Sequence, residues 1–274
     1  MWQHRARVPT AETPISRSGA ARAGDVLVAL AASDVRVRYG RGPTAALKWL
    51  LDPIAALGIY LLLVVLVLDR GGRAPGLTIA CAVVPFQLVM MTVVNALRCI
   101  ELRRSILLNL RLPRMLIPLA SALTESVAFA AAMILPFVMM AVYGIAPTVA
   151  ILWLIPAIAV TFALSAALAY PAALLGVWMP ELTPFFISVV RALFFLAPGL
   201  VALDAVHGDG RDLLPLNPLT GIFETYRDAL LYGRAPDAWQ LLVPLGAAAI
   251  VLAIGLPLYR RDAPHLAKVV TGGR

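Results

Sequence analysis

The chain is 274 residues long, 61% apolar and only 14% charged, and a soluble domain of that length exposes too much surface to hide so much apolar area. Its net charge of +8 is carried by 21 Arg and two Lys, Lys48 and Lys268. These sit at the ends of apolar runs, which is how charge orients a chain in a membrane and not how a nucleic-acid surface is built.

Taken in chain order, residues 1–24 mix Arg5, Arg7, Arg17 and Arg22 with Pro, Ser, Thr and Ala. No apolar core follows within reach, so the segment reads as a disordered cytoplasmic tail and not as a signal peptide. Residues 25–50 place Val26, Leu27, Leu30 and Ala31 on one helical face behind Asp25 as a cap. Arg36, Arg38 and Arg41 follow, and Gly40, Gly42 and Pro43 break the pattern. This predicts an amphipathic helix in the membrane interface, its arginines near anionic headgroups.

Residues 51–260 hold six apolar stretches near the length of about 20 residues that a span needs. They run over 51–68, 77–97, 117–143, 147–177, 185–203 and 239–258. Solid runs of this kind, without period-two alternation, predict an all-α polytopic membrane protein and not a β-barrel. Pro85, Pro136, Pro156, Pro171, Pro198 and Pro257 fall within the runs and predict kinks, because each removes a backbone donor. Glu125 and Arg191 are the ionisable residues deep inside spans, and each should face the bundle, a cavity or a partner.

Two connecting segments carry more information than the spans. Residues 98–117, RCIELRRSILLNLRLPRMLI, set Ile100, Ile106, Leu107, Leu110 and Leu112 against Glu101, Arg103, Arg104, Asn109, Arg111 and Arg114. A short helix with one apolar and one charged face suits the docking of a soluble subunit. Within 204–237, the stretch LNPLTGIFETYRDALLYG reads as a complete short helix. Asn217 is a good N-cap, Pro218 suits the first helical position, and Gly233 closes the end. Leu219, Ile222, Phe223, Tyr226 and Leu230 form an apolar stripe. The helix is too short to cross, so it is expected to dip into the outer leaflet or lie upon it. Residues 261–274 form a second tail.

With the N-terminus inside, the N-tail, the loop between spans two and three and the C-tail hold 17 of the 23 basic residues. The outer side holds five and Arg191 is the remaining one, so both termini are expected in the cytoplasm. Cys81 and Cys99 lie 18 residues apart with no Cys-x-x-Cys near them and read as small buried residues. No G-x-x-x-x-G-K-[ST], H-E-x-x-H or G-x-S-x-G is present, and His4, His207 and His265 all lie outside the runs. Asp204, Asp209 and Asp212 form the nearest approach to an acidic cluster, in a Gly-rich outer loop. Catalytic residues, metal ligands and cofactors are therefore not expected in this chain.

The ordered set of segments resembles the permeases of ABC type-2 transporters, and among them the polysaccharide (O-antigen, teichoic acid, galactan) exporters. The residues that carry the resemblance are Arg38, Tyr39, Trp49 and Pro53 before the first span, then Leu112, Pro113, Arg114 and Pro118 after the second. Leu216, Asn217, Pro218, Thr220, Glu224 and Arg227 follow before the last span, and YRRDAPHLAKVV resembles the family's ending. The chain departs from the family pattern at SILLNLR and at WMPELTP, where Glu181 is the only charge.

The resemblance covers about residues 25–270 and implies a homodimer bound to two copies of an ATP-binding subunit, which holds the ATP and Mg. The cargo it implies is a lipid-linked glycan, moved outward across the plasma (cell inner) membrane. It makes Glu101, Arg103, Arg104, Asn109, Arg111 and Arg114 the coupling residues. Asn217, Pro218, Phe223, Glu224, Tyr226 and Arg227 would form the outer gate helix. Tyr60, Phe86, Phe185 and Arg191 are the candidate residues of the substrate path, since aromatic faces stack on sugar rings. A drug or antibiotic efflux permease of the same superfamily would share the fold. An intramembrane enzyme acting on polyprenyl-linked substrates is the alternative from another class, and it would need no ATPase.

Overall fold

A computed structural model describes residues 19–39, 43–67, 74–103, 114–206, 208 and 211–270. Nine α-helices follow one another along the described residues, which contain no strand. Helix α1 is Gly19–Tyr39, and α2 is Pro43–Leu62, continued by a π-helical turn Leu63–Val67. Helix α3 is Pro75–Leu102, α4 Leu116–Ala132 and α5 Ile134–Val142. Helix α6, Leu154–Trp178, extends a 3-10 turn Val149–Trp153, and α7 is Thr183–Leu196. Helix α8, Pro218–Arg227, runs into a π-helical turn Asp228–Tyr232, and α9 is Ala238–Val270.

Among the described residues, four helical runs are long and apolar enough to cross a membrane: Pro75–Leu102, Leu116–Val142, Val149–Trp178 and Ala238–Ala263. The second joins α4 and α5 across a break at Met133, where Pro136 has no N–H to continue the ladder. The expected first span appears as a shorter apolar stretch, Pro53–Val65, within a helix that starts earlier, at Pro43. The expected fifth span is shorter than the sequence suggested. Helix α7 has 14 residues, about 21 Å at 1.5 Å per residue against roughly 30 Å of hydrocarbon. It stops at Leu196 because Ala197 precedes Pro198 and leaves the helical region, at φ −103 and ψ 34. Pro198 therefore ends a helix and does not kink one. Asp25 is likewise no cap, since α1 begins at Gly19 and Asp25 lies inside it.

Helix α3 is the axis of the bundle, with 18 of its 28 residues buried, and it packs against α6, α4, α2 and α8. In a chain this apolar, hydropathy cannot choose the buried face of a helix, and side-chain size does it instead. Ala157, Thr161, Ser165, Ala169 and Ala173 recur every four residues along α6, and all five are buried. This small-residue stripe lets backbones approach: a Cβ on Gly176 would stand 1.7 Å from the Leu97 carbonyl oxygen of α3. The Thr161 and Ser165 hydroxyls donate back to the carbonyls of Ala157 and Thr161, so their burial strands no donor. Large apolar side chains cover the outside instead, among them Phe137, Ile155, Phe185, Leu242, Ile250 and Leu258. Lipid would cover such a surface and water would not.

The two ends of the bundle differ in chemistry. At the basic end, Arg103 donates to the Ile117 carbonyl (3.3 Å) and pairs with Asp34 of α1. Arg114 donates to the Ala263 carbonyl (2.6 Å), and the Tyr259 hydroxyl donates to the Arg114 carbonyl (3.1 Å). At the far end, the Gly76 amide donates to the Tyr143 hydroxyl (3.1 Å) and α8 lies beside the start of α3.

Candidate functional site

At the basic end, α3 continues through Leu102, so residues 98–102 of the expected docking helix complete a membrane helix. Arg104, Asn109 and Arg111 lie outside the described residues. Glu101 is exposed, whereas Arg103 is buried and occupied by Asp34 and Ile117. Arg114 is half-buried and ties the start of α4 to α9. The two inward arginines therefore tie α1, α4 and α9 together at this end, and Glu101 alone of the three described acid or base candidates faces outward.

Asp34 reaches Arg103 because α1 seats its apolar face first: Leu30 and Ala31 are buried, and Asp34 stands one turn on. Beside this pair, a cavity of about 250 Å³ is lined by Ser33, Asp34, Asn95, Arg103, Thr124 and Glu125. Glu125, the acid within the third apolar run, is buried and accepts from the Asn95 amide of α3. It faces the bundle, which is where an ionisable residue inside a span has to point.

At the far end the helix expected from LNPLTGIFETYRDALLYG forms with the expected ends. The Asn217 side-chain oxygen accepts from the Leu219 amide (3.0 Å), and Gly233 closes the π-helical turn in the left-handed region at φ 64. Asn217 also donates from its amide to the Leu193 carbonyl (3.2 Å), so one side chain caps the start of α8 and the end of α7. The helix does not rest on the surface of the bundle. Leu219 through Leu230 are all buried, the polar face as fully as the apolar stripe, so α8 is enclosed by α3, α6 and α9. Hydrophobic periodicity could not show this, because the polar face is buried on charges of its own.

Arg227 makes that burial possible. It donates to Glu224 (2.7 Å), to the carbonyls of Pro198 (3.1 Å) and Gly199 (3.0 Å), and to the Thr78 carbonyl (3.2 Å). Glu224 in turn accepts from the Leu203 amide (2.9 Å). Carbonyls left open where α7 ends at Pro198 thus find donors in a guanidinium, whose planar fork suits several acceptors at once. Next to it, Asp228 accepts from Arg234 (2.6 Å) and from the Gln240 amide (2.8 Å). The hydrogen bond to Asp228 raises Arg234 above its ordinary range. A Cβ on Gly221 would come within 2.5 Å of the Gln240 carbonyl oxygen, so α8 lies directly on the start of α9. Phe223 and Tyr226 are fully buried, and the Tyr226 carbonyl accepts weakly from the Cys81 thiol. Pairing of Glu224 and Arg227 was not legible as such, although a Glu and an Arg three apart on one helix is a signal that could have indicated it.

Of the residues proposed for a path, Tyr60 and Phe86 meet at Phe194, while Phe185 and Arg191 lie on α7. Phe86 is 7% exposed and meets Phe194 at a tilt, 4.8 Å between centroids, while Tyr60 stacks on Phe194 at 5.2 Å. Phe185 is 61% exposed on α7, and Arg191 is exposed on the same helix. An apolar groove of about 610 Å³ opens between α7 and the wall formed by α3, α6 and α9. Among the described residues no three His, Cys, Asp or Glu side chains are placed to hold a metal ion.

No protein-family model matches the chain. The chain is 26% identical over 232 residues to the O-antigen export system permease protein RfbA of Myxococcus xanthus, covering 83% of this chain and 88% of that protein. It is 23% and 24% identical to two proteins of the same name from Klebsiella pneumoniae, each alignment covering 90% of this chain and 95% of the relative. The likeness runs over nearly the full length of each relative, as the resemblance of the sequence segments implied.

Proposed function

We propose that this chain is the membrane-spanning permease subunit of an ABC-type exporter that carries a lipid-linked polysaccharide outward across the plasma membrane. The observation that carries the reading is the end-to-end likeness to O-antigen export permeases, 88–95% of whose length is aligned. The arrangement of the bundle is consistent with it. Two copies of the chain would assemble with two copies of a separate ATP-binding subunit, which supplies ATP and Mg. Both termini would lie in the cytoplasm, and the six apolar runs would provide six membrane segments, with α7 in the fifth and α8 a separate short helix at the outer end. The basic end would be cytoplasmic, and residues 104–113 would couple to the ATPase. A push on that segment would reach the bundle through Arg103 and Arg114, which join α1, α4 and α9 to its base.

Co-purification tests the reading. The chain expressed with its cognate ATP-binding subunit should yield a complex of two and two, and the chain alone should hydrolyse no ATP. Replacing exposed Glu101 together with Arg104 by Ala should weaken that association. Charge-assisted contacts of this kind contribute about 1.5–3 kcal/mol each when desolvated and less at a rim. Hydrolysis by the isolated chain, or failure to associate under conditions that preserve the permease, would refute the assignment.

A further inference from the structure

Arg191 stands alone. It is exposed on α7, and among the described residues it has no hydrogen bond, ion pair or ring contact. Its depth follows from its neighbours. Phe194, one turn on, lies 4.8 Å from Phe86, and Phe186 and Val190 pack with Val93 and Leu97. Arg191 is therefore level with residues 86–93 of α3, whose two central residues are Leu88 and Val89. About 21 Å of helix separates that midpoint from either end of α3. A charge near the middle of a span costs several kcal/mol when it faces lipid.

Among the residues with described side chains, none offers an answering charge at that depth. Glu125 is buried against Asn95, and Glu224 is buried with Arg227. The exposed acids with described side chains, Asp25, Glu101, Glu181, Asp204, Asp212 and Asp237, lie on α1 or at the ends of the bundle. A second copy would bring the same surface, including a second Arg191. The stripe that carries Arg191 also differs from a lipid face. It runs Pro184, Ser188, Arg191, Phe195, all exposed, and Phe195 makes an edge contact with Tyr60 of α2 at 6.1 Å. The face between α2 and α7 is thus aromatic, with one hydroxyl and one cation, while the opposite face of α7 lines the apolar groove.

We infer that Arg191 is the mid-membrane contact for an anionic group, a phosphate or diphosphate, on the lipid-linked substrate that moves along the α2–α7 face. The inference rests on the export reading above and adds to it a residue and a charge. A guanidinium suits the task because its donors match phosphate oxygens bidentately. It is reached only by cargo, since bilayer headgroups stay at the interfaces.

The test uses the full chain in nanodiscs and in cells. In nanodiscs, binding of a polyprenyl diphosphate is compared with that of the matching polyprenol, with inorganic diphosphate as a competitor. The unmodified protein should prefer the diphosphate lipid by about 10-fold or more, the scale of one charge-assisted contact. Arg191→Gln should lose that preference while binding polyprenol unchanged, and Arg191→Lys should keep part of it. Inorganic diphosphate should compete weakly, because the lipid delivers the anion to that depth. In cells lacking the chain, Arg191→Lys should restore some surface glycan and Arg191→Gln little. Full restoration by Arg191→Gln, or an unchanged lipid preference in vitro, would overturn the inference. So would an Asp52→Asn variant that reproduces the Arg191→Gln defect, since Arg191 would then answer this acid of α2 and not cargo. If removal of the chain leaves surface glycan intact, the export reading itself fails, and that outcome is distinct from the others.

Discussion

Arg227 illustrates what a single residue does in this bundle. Its guanidinium answers one carboxylate and three main-chain carbonyls in a place closed to water. Removing one partner of a buried ion pair typically costs about 3–5 kcal/mol, because the remaining charge stays buried and unanswered. Arg227→Ala should therefore lower the thermal unfolding midpoint sharply in detergent. Arg227→Lys should recover little of the loss, since one ammonium cannot span acceptors on α3, α8 and the turn after α7. A double Glu224→Gln, Arg227→Met variant should be less damaged than Arg227→Ala alone. Unfolding of Arg227→Ala at the midpoint of the unmodified protein would show that the cluster does not hold the far end together. The sequence displayed both charges and the cap at Asn217, but it offered no means of telling that the polar face of α8 was buried. That depends on carbonyls that α7 leaves open some thirty residues earlier in the chain, at Pro198 and Gly199.

Between elements, close backbone approach decides the packing. Gly176 and Gly246 both sit in apolar helices and look alike in the sequence. A methyl group at Gly176 would collide with the Leu97 carbonyl of α3, while one at Gly246 would meet nothing within 4 Å. Gly176→Ala should thus destabilise by about 1–3 kcal/mol or more as α3 and α6 are forced apart. Gly246→Ala should be neutral or mildly stabilising, by up to about 1 kcal/mol from helix propensity. Equal effects of the two substitutions on the unfolding midpoint would contradict the α3–α6 contact. The presence of helices was legible throughout, because runs of this length and hydropathy leave the backbone no other way to satisfy itself. Two boundaries were not. The apolar run through 185–203 continues past the end of α7, and only the geometry before Pro198 stops the helix at Leu196. The charged stretch from Arg98 looked separate from the second run, yet backbone hydrogen bonding carries α3 on to Leu102.

For the whole molecule, the distribution of charge and the likeness to export permeases point the same way. Arginines gather at one end of the bundle, where Arg103 and Arg114 brace it, and two adjacent pairs, Glu224 with Arg227 and Asp228 with Arg234, lie at the other. The six-run reading of the sequence anticipates such a polarity, assigning 17 basic residues to one side and five to the other. It did not show which arginines turn inward, because that depends on partners such as Asp34 and Ile117 contributed by other helices. The substrate path was the least legible part. Phe86 proved to be core, and Arg191 became informative only once its exposure and depth were known. The central claim, that this chain carries a lipid-linked glycan outward for a partner ATPase, is tested most directly by transport in proteoliposomes. Vesicles holding the chain and its ATP-binding subunit are supplied with labelled lipid-linked glycan, and its gain of protection from an external, impermeant glycosidase is followed. With the ATP-binding face exposed and glycan presented on that face, added ATP should carry glycan into the lumen and make it resistant to the enzyme. Vesicles lacking either subunit, or given a non-hydrolysable analogue, should show no such change. Protection that develops without ATP, or fails to develop in a complex that hydrolyses ATP normally, would contradict the account.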